Sequence, residues 1–323
     1  MIPDFLILAQ ESANGSAAAQ ALVTGLSLGS IYALLAMGFV IIFKATQVLN
    51  FAHGALAALG AFLVVLFATV WDIPQRWLPD WPSWLTWTIS VACALVAAAL
   101  VGMALERVFI RPMVGEELFA VAIVTLGIDI ALRTITNDFL GTDSRPLGDP
   151  WGTGVFELGW VSFAHTEVVQ LIVTLVLVLL VAAFFRTRLG TAMRATAFDQ
   201  EAARAQGIDV GRVFGVAWAI GAVLATVGGI FLSLFPRRAA GLDTQTAFAV
   251  FAAFPAIILG GLDSVFGAVV GGMIIGLAQG FAGLLDFEWL GTGFTGVLPY
   301  FIMMIVLFIR PTGLFGTEEI RRV

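Results

Sequence analysis

Cysteine and lysine are almost missing from this chain of 323 residues. The only cysteine is Cys93, so no intrachain disulfide can form, and its position in an apolar run predicts buried packing. The only lysine is Lys44, in FKAT, which excludes the phosphate loop G-x-x-x-x-G-K-[ST]. HExxH, a CxxC pair and a Ser/His/Asp spacing are also missing from the sequence. We therefore predict no catalytic site, no metal site and no cofactor bound by this chain.

Charge is also sparse. Asp, Glu, Lys and Arg make up 12% of the residues, whereas hydrophobic residues make up 60% and the mean hydropathy is +1.00. Ordinary soluble domains carry roughly twice that share of charge. Apolar runs of this length predict an all-α, polytopic membrane protein that contacts lipid. The net charge of −6 argues against nucleic acid as a partner.

We predict about 8–10 membrane segments, of which some are broken or re-entrant. The predicted segments are 22–43, 52–70, 84–106, 118–137, 166–185, 213–235, 247–261, 265–285 and 294–310. The segments 52–70 and 247–261 are short or interrupted by glycine, which is typical of broken helices. We expect residues 1–20 to be an external lead-in, 21–311 the transmembrane domain and 312–323 a cytoplasmic tail.

The positive charges indicate the orientation. The polar segment 186–212 holds five of the sixteen Lys and Arg residues, and we place it in the cytoplasm. Alternating spans then put eleven positive charges inside and five outside. This asymmetry predicts an external N-terminus and a cytoplasmic C-terminus.

A short helix is predicted inside the segment 186–212. Asp199 is placed to cap it, residues 200–206 to form two turns, and Gly207 to end it in the left-handed conformation. Seven residues are too few to be helical alone in water, so we expect this helix to dock on a partner. The positive-inside tendency explains the arginines of the segment, but it does not explain the pattern EAA-x-x-x-G that starts at Glu201.

The side chains of this short helix suggest how it docks. Ala202 and Ala203 are small enough to sit deep in a groove of the partner, while Glu201 and Arg204 would bond at its rim.

The sequence NFAHG starts the second apolar segment with polar groups. Asn50 and His53 would each cost several kcal/mol if left unsatisfied in hydrocarbon, so they must face protein, water or solute. Gly54 permits a break in the helix or a close approach of backbone. Two interpretations stay open. The segment is either a broken helix that lines a translocation route, or an interfacial helix start with Asn50 as cap and His53 among the headgroups.

Two charges lie inside the fourth segment. Asp129 and Arg133 are four residues apart and can pair on one helix face. We expect them toward the outer end, as a structural ion pair.

EAA-x-x-x-G in a cytoplasmic loop resembles the coupling motif of ABC-importer permeases, although the I-x-L-P tail of many of them is missing. GLSLGSIYALLAMGF (25–39), NFAHG (50–54) and LGGLDS (259–264) are similar to branched-chain amino acid importer permeases of the LivH type. The resemblance extends from about residue 20 to 315. Asp263 and Phe266 stand where that family more often has Gly and Pro.

The resemblance implies two sets of site residues. The coupling set contains Arg194, Asp199, Glu201, Ala202, Ala203 and Gly207. The translocation set contains Asn50, Phe51, His53, Gly54, Gly260, Gly261 and Ser264.

The resemblance also implies a function in the bacterial inner membrane. The chain would be a permease subunit that moves branched-chain or other aliphatic amino acids by alternating access. Its partners would be a LivM-like permease, two cytosolic ATPase subunits that bind ATP and Mg, and an external solute-binding protein. Related permeases carry urea, short amides or aromatic acids. An ion-driven secondary transporter is the alternative, and it requires a buried acid near the bilayer centre.

Overall fold

Long apolar helices dominate the computed structural model, which describes residues 4–141, 143–238, 241–284 and 293–317. The α-helices are α1 (Asp4–Thr46), α2 (His53–Val65), α3 (Ile73–Trp77), α4 (Ser83–Leu105), α5 (Leu118–Leu140), α6 (His165–Phe184), α7 (Arg188–Phe198), α8 (Gln200–Ala205), α9 (Val210–Leu232), α10 (Thr246–Ala249), α11 (Phe254–Gly260), α12 (Val265–Ala282) and α13 (Phe294–Ile309). A hairpin of β1 (Val155–Leu158) and β2 (Val161–Ala164) precedes α6.

Among the described residues, seven helices are long and apolar enough to cross a membrane. Two shorter apolar helical stretches, Thr246–Gly260 and Phe294–Ile309, accompany them. All nine predicted segments are thus helical, and the polytopic helical class is confirmed. The side of the membrane on which each end lies stays a prediction.

The predicted break at 247–261 is confirmed. This stretch consists of α10, a 3₁₀ turn at Val250–Ala253, and α11, which has Pro255 near its start. Proline favours the first turn of a helix because it has no N–H to donate. The interruption leaves α11 only seven residues long.

Glycines bring α1 and α12 together. A Cβ on Gly276 would lie 2.1 Å from the backbone nitrogen of Gly29, and one on Gly280 would lie 2.7 Å from Gly25. Only hydrogen fits at such positions, which is how small residues let helices associate in lipid.

One expectation about the chain's periphery is wrong. Cys93 is exposed, so the prediction of buried packing is wrong. The reason is that α4 buries one stripe, which includes Ser90, Ala94 and Ala98, and Cys93 lies off that stripe. Helix α1 begins at Asp4 and so includes most of the predicted lead-in, and the external position of this segment stays a prediction. Residues 1–3 and 318–323 lie outside the described residues.

Candidate functional site

The chain between α1 and α2 turns back into the bundle. Nε2 of His53, the first residue of α2, lies 3.0 Å from the carbonyl oxygen of Leu35. Leu35 is eleven residues before Thr46, where α1 ends, and this corresponds to about 16 Å along a helix. Helix α2 therefore starts inside the bundle and not at its end.

His53 is fully buried in protein, so the interpretation that places it among headgroups is wrong. A carbonyl oxygen only accepts hydrogen bonds, and Nε2 must therefore carry the proton that bonds Leu35. Nδ1 of the neutral ring is then an acceptor, and it has no partner among the described residues. The ring edge also packs against Phe39, with centroids 5.9 Å apart.

Asn50 is also fully buried. Its Oδ1 accepts a hydrogen bond of 3.1 Å from the backbone N–H of Ala52, which closes a local turn before the helix. The N-cap residue of α2 is Ala52, and no side chain caps this helix, so the predicted role of Asn50 as the cap is wrong. Its Nδ2 finds no acceptor in the part of the chain that the structure describes. Next to it, the N–H of Phe51 donates to Oγ1 of Thr125 on α5, at 3.2 Å. A role of these residues in translocation stays a prediction.

Gly54 allows a close approach of backbone, as predicted. A Cβ at this position would lie 2.4 Å from the carbonyl oxygen of Ala247 in α10. The first turn of α2 is therefore in contact with the broken stretch of the chain, and no larger residue fits there.

The sequence LGGLDS forms the turn between α11 and α12. Gly261 has φ +102°, and a Cβ on Gly260 would lie 2.2 Å from the carbonyl oxygen of Gly267. Oγ of Ser264 caps α12 by accepting from the N–H of Gly267 at 3.0 Å. These contacts are those of a tight helix hairpin, and a translocation role for the three residues stays a prediction.

This hairpin lies beside the end of α1. Nζ of Lys44 donates to the carbonyl oxygen of Asp263 at 2.9 Å. The end of α1 and the LGGLDS turn, which are 219 residues apart in the sequence, are thus at the same end of the bundle. The side chain of Lys44 holds the turn at this position.

Asp129 and Arg133 form the predicted ion pair, with Oδ2 and Nη2 2.5 Å apart. The expected position toward the outer end is wrong, because α5 continues to Leu140 and Asp129 lies at its midpoint. The backbone of Ala55, in the first turn of α2, is near enough to interact with this carboxylate. Asp129 therefore lies between Arg133 and the N-terminus of the helix that starts inside the bundle, where a negative charge is favourable.

The short helix of the polar segment is confirmed as α8. Oδ1 of Asp199 accepts from the backbone N–H groups of Glu201 and Ala202, both at 2.9 Å. Gly207 ends the helix with φ +81°, and no described atom lies within 4 Å of a Cβ built on it. The cap and the left-handed end occur where the sequence predicts them.

One residue of this helix does not face outward. Ala203 is 4% exposed and packs against Val210 and Phe214 of α9, so the prediction that it enters a partner's groove is wrong. A helix this short needs an apolar contact within its own chain to be stable, and Ala203 supplies it. Glu201 and Ala202 are exposed, as docking requires.

Arg194 lies on α7 and bonds within the chain. Its guanidinium donates to the carbonyl oxygen of Phe185 and, at 3.1 Å, to Oγ1 of Thr191. These bonds fasten α7 to the end of α6. A coupling role for Arg194 stays a prediction.

Phe198 is a candidate functional residue that was not predicted from the sequence. Its side chain is 94% exposed at the end of α7, directly before the cap of α8. The sequence offered one indication, since Phe198 is an aromatic residue in the polar segment 186–212, outside every predicted membrane span. Its exposure beside α8 makes this ring a candidate contact for a partner, which a substitution can test.

A cavity of about 270 Å³ separates α8 from the α1–α2 connection. Gln200 of α8 and Phe214 of α9 line one side, and Gln47, Val48 and Val121 line another. The polar segment and the start of the α1–α2 connection are therefore at the same end of the bundle.

Comparison with known proteins identifies the family. The family described as "Branched-chain amino acid transport system / permease component" matches residues 21–307. The permease protein LivH of Salmonella typhimurium, from a high-affinity branched-chain amino acid transport system, is 31% identical over 312 residues, 94% of this chain and 97% of that protein. The chain belongs to this permease family. It is therefore a multi-pass transport component of the inner membrane.

Other permeases of the family are similar over most of their length. BraD of Pseudomonas aeruginosa is 29% identical over 312 residues, again 94% of this chain and 97% of that protein. The probable LivH of Methanocaldococcus jannaschii is 26% identical and covers 90% of both chains.

Proposed function

We propose that this permease is the transmembrane subunit of an ATP-driven ABC importer for branched-chain and other aliphatic amino acids. The observation that carries the proposal is the 31% identity to LivH over 94% of the chain. The name of that relative supplies the substrate class. The exposed, capped helix α8 supports the coupling to a separate ATPase, because it presents Glu201 and Ala202 to a partner.

The importer would contain four further components. A LivM-like permease would complete the membrane domain, two cytosolic ATPase subunits would bind ATP and Mg, and an external solute-binding protein would deliver the solute. Closure of the ATPases would move residues 199–207, and the glycine-rich helices would rock to open the opposite face. Selection by the binding protein leaves urea, short amides and aromatic acids as alternative solutes for the same permease.

Contacts within the chain support this direction of force. Ala203 of α8 packs on Phe214 of α9. Further along α9, a Cβ on Gly221 would lie 3.0 Å from the carbonyl oxygen of Gly38 in α1. Close-packed helices transmit displacement. A movement of α8 would therefore be passed by α9 to α1, the helix whose Leu35 bonds His53.

Co-purification in mild detergent tests the proposal, with the associated proteins identified by mass spectrometry. Wild type is compared with a Glu201→Arg/Gly207→Leu variant. We expect an ATPase with a phosphate loop to accompany the wild type and to be lost from the variant. The matched control is Glu157→Arg, an exposed residue of the hairpin, which should retain the ATPase.

An ion-driven carrier is the second candidate, and the position of Asp129 favours it. A buried acid at the midpoint of a spanning helix is a typical ion site. Arg133 already neutralises this carboxylate, however, which leaves less charge for a coupling ion. If no ATPase accompanies either protein and uptake follows a proton or sodium gradient, the carrier is correct and the importer is wrong.

A further inference from the structure

An ion pair and a row of aromatic rings share one face of the bundle. The guanidinium carbon of Arg133 lies 4.5 Å from the ring centroid of Phe248. From Phe248 the rings continue to Phe251 at 6.3 Å, then to Phe254 at 5.6 Å, and finally to Phe51 at 6.2 Å. We call these four phenylalanines the aromatic row. It connects the ion pair of α5 to the NFAHG turn.

The row and the cation are accessible, whereas the acid is not. Phe248 is 46% and Phe251 38% exposed, and the other two rings are half-buried. Within the ion pair, the side chain of Arg133 is 23% exposed and that of Asp129 only 6%. The face therefore presents a positive charge beside apolar rings, and Asp129 is turned inward toward α2.

Lipid is a poor occupant of this face. Asp129 lies at the midpoint of α5, and Arg133 follows one turn later. Charged side chains at that depth face the bundle interior or a water-filled route, because hydrocarbon does not solvate them. The face therefore belongs to the route or to its border.

The guanidinium retains donors for a second anion. A guanidinium has five N–H groups, and the contact with Asp129 uses Nη2. Nε of Arg133 is buried and meets no acceptor within the described ranges of the chain, so a second anion would reach the guanidinium through its Nη N–H groups. Arginine binds carboxylates in a fork of two hydrogen bonds, and aromatic rings accept an aliphatic or aromatic body.

We propose that Arg133 and the aromatic row form a contact site on the translocation route for a solute with a carboxylate and an apolar body. Amino acids with aliphatic side chains belong to this class, as do aliphatic and aromatic acids. Asp129 is a positioning residue, since its ion pair orients Arg133. The site rests on the importer function proposed above, and it identifies the chemical group that the membrane domain itself recognises.

Cysteine accessibility in the reconstituted complex tests whether the face is open to water. Cys93 is the chain's only cysteine, so Cys93→Ser gives a background without thiols. Phe251→Cys probes the row, and Leu175→Cys on α6, where the side chain is 60% exposed, is the matched control. A charged methanethiosulfonate should modify Phe251→Cys in at least one of two states, the resting complex or the ATP-bound complex. It should modify Leu175→Cys in neither state. Absence of modification of Phe251→Cys in both states would mean that lipid or another subunit covers the row, and the proposal would be wrong.

Protection against that reagent tests the chemical class. Leucine and 4-methylpentanoate both have the carboxylate, whereas isopentylamine has the same apolar body without it. We expect the two carboxylates to slow modification of Phe251→Cys and the amine to have no effect. Equal protection by all three, or protection by none, would overturn the assignment to Arg133.

Variants of the ion pair complete the test. Arg133→Gln should raise the protecting concentration of 4-methylpentanoate about tenfold or more, which corresponds to the loss of a charge-assisted hydrogen bond. Arg133→Lys should restore part of the protection by 4-methylpentanoate, because it keeps the positive charge. Arg133→Gln alone leaves the buried carboxylate of Asp129 unpaired. The double variant Asp129→Asn/Arg133→Gln removes both charges and serves as the control. It should lose as much protection as Arg133→Gln does. Unchanged protection in the double variant contradicts the proposal.

The readout separates this site from the importer function. Modification and protection require no transport, so they remain measurable if ATP-driven uptake fails. Protection without uptake refutes the importer alone. ATP-driven uptake of leucine without protection refutes the contact site alone.

Discussion

The imidazole of His53 lies directly against the backbone of Gly38. A Cβ added to Gly38 would be 3.1 Å from Cε1 of His53 and 3.1 Å from the carbonyl oxygen of Gly221. The glycine-rich motif of α1 and the NFAHG motif are therefore complementary parts of one contact, in which α1, α2 and α9 meet.

Substitution of His53 tests the role of this contact in transport. His53→Phe keeps an aromatic ring of similar size but removes the donor to Leu35, and we expect a loss of about 1 kcal/mol of stability with a clear fall in uptake. Uptake into proteoliposomes and co-purification of the complex are measured together. An Asn50→Ala/His53→Ala protein that assembles and transports like wild type would contradict the hypothesis that these residues line the translocation route.

Removal of the cap of α8 should uncouple the ATPase. Asp199→Ala leaves the N–H groups of Glu201 and Ala202 without their acceptor, which costs about 1 kcal/mol and unfolds a helix of six residues. We expect less ATPase in the co-purified complex, with the membrane domain intact. Asp199→Asn keeps the cap without the charge and is the control. Equal loss in both variants would assign the effect to charge and not to the helix.

Phe198 should anchor the partner. Its ring is 94% exposed, and a buried aromatic anchor at an interface typically contributes 2 kcal/mol or more to binding. Phe198→Ala is therefore expected to weaken ATPase binding roughly thirtyfold. Trp160→Ala, which removes a ring that is 76% exposed in the hairpin, should bind normally. If both alanine variants bind the ATPase like wild type, the prediction that Phe198 contacts the ATPase is wrong.

Two glycine-to-alanine changes should have opposite effects on thermal stability in detergent. Gly276→Ala places a methyl group 2.1 Å from the backbone of Gly29, and overpacking of this kind costs about 1–3 kcal/mol. Gly296 lies in α13, and a Cβ there meets no described atom within 4 Å. Alanine favours helix over glycine by about 1 kcal/mol, so Gly296→Ala should not destabilise. Similar melting temperatures for both variants would contradict the packing argument.

Labelling of single cysteines from one side of the membrane tests the orientation. In a Cys93→Ser background, Ala205→Cys should react with an impermeant maleimide only from the cytoplasm. Glu157→Cys, in the hairpin, should react only from outside. The reverse pattern would show that the distribution of arginines misled us.

Much of the site could be predicted because its signals are local. The cap by Asp199 and the left-handed Gly207 depend on residues within one helical turn, so the sequence alone was sufficient. The direction of Ala203 was not predictable, since it depends on how α8 lies on α9. The depth of Asp129 was misjudged because α5 continues through the polar Asn137 and Asp138 to Leu140, which leaves Asp129 at the midpoint of the helix.

The sequence by itself determined the class of the protein, its nine apolar segments, the short helix of the polar segment and the family. Those features follow from composition, periodicity and motifs, which act over a few neighbouring residues. Only the tertiary structure decided that α2 starts beside Leu35, that Lys44 bonds Asp263, and that Arg133 meets the aromatic row. Such contacts join residues that are far apart in the chain, and they arise from the packing of whole helices, which no local pattern encodes.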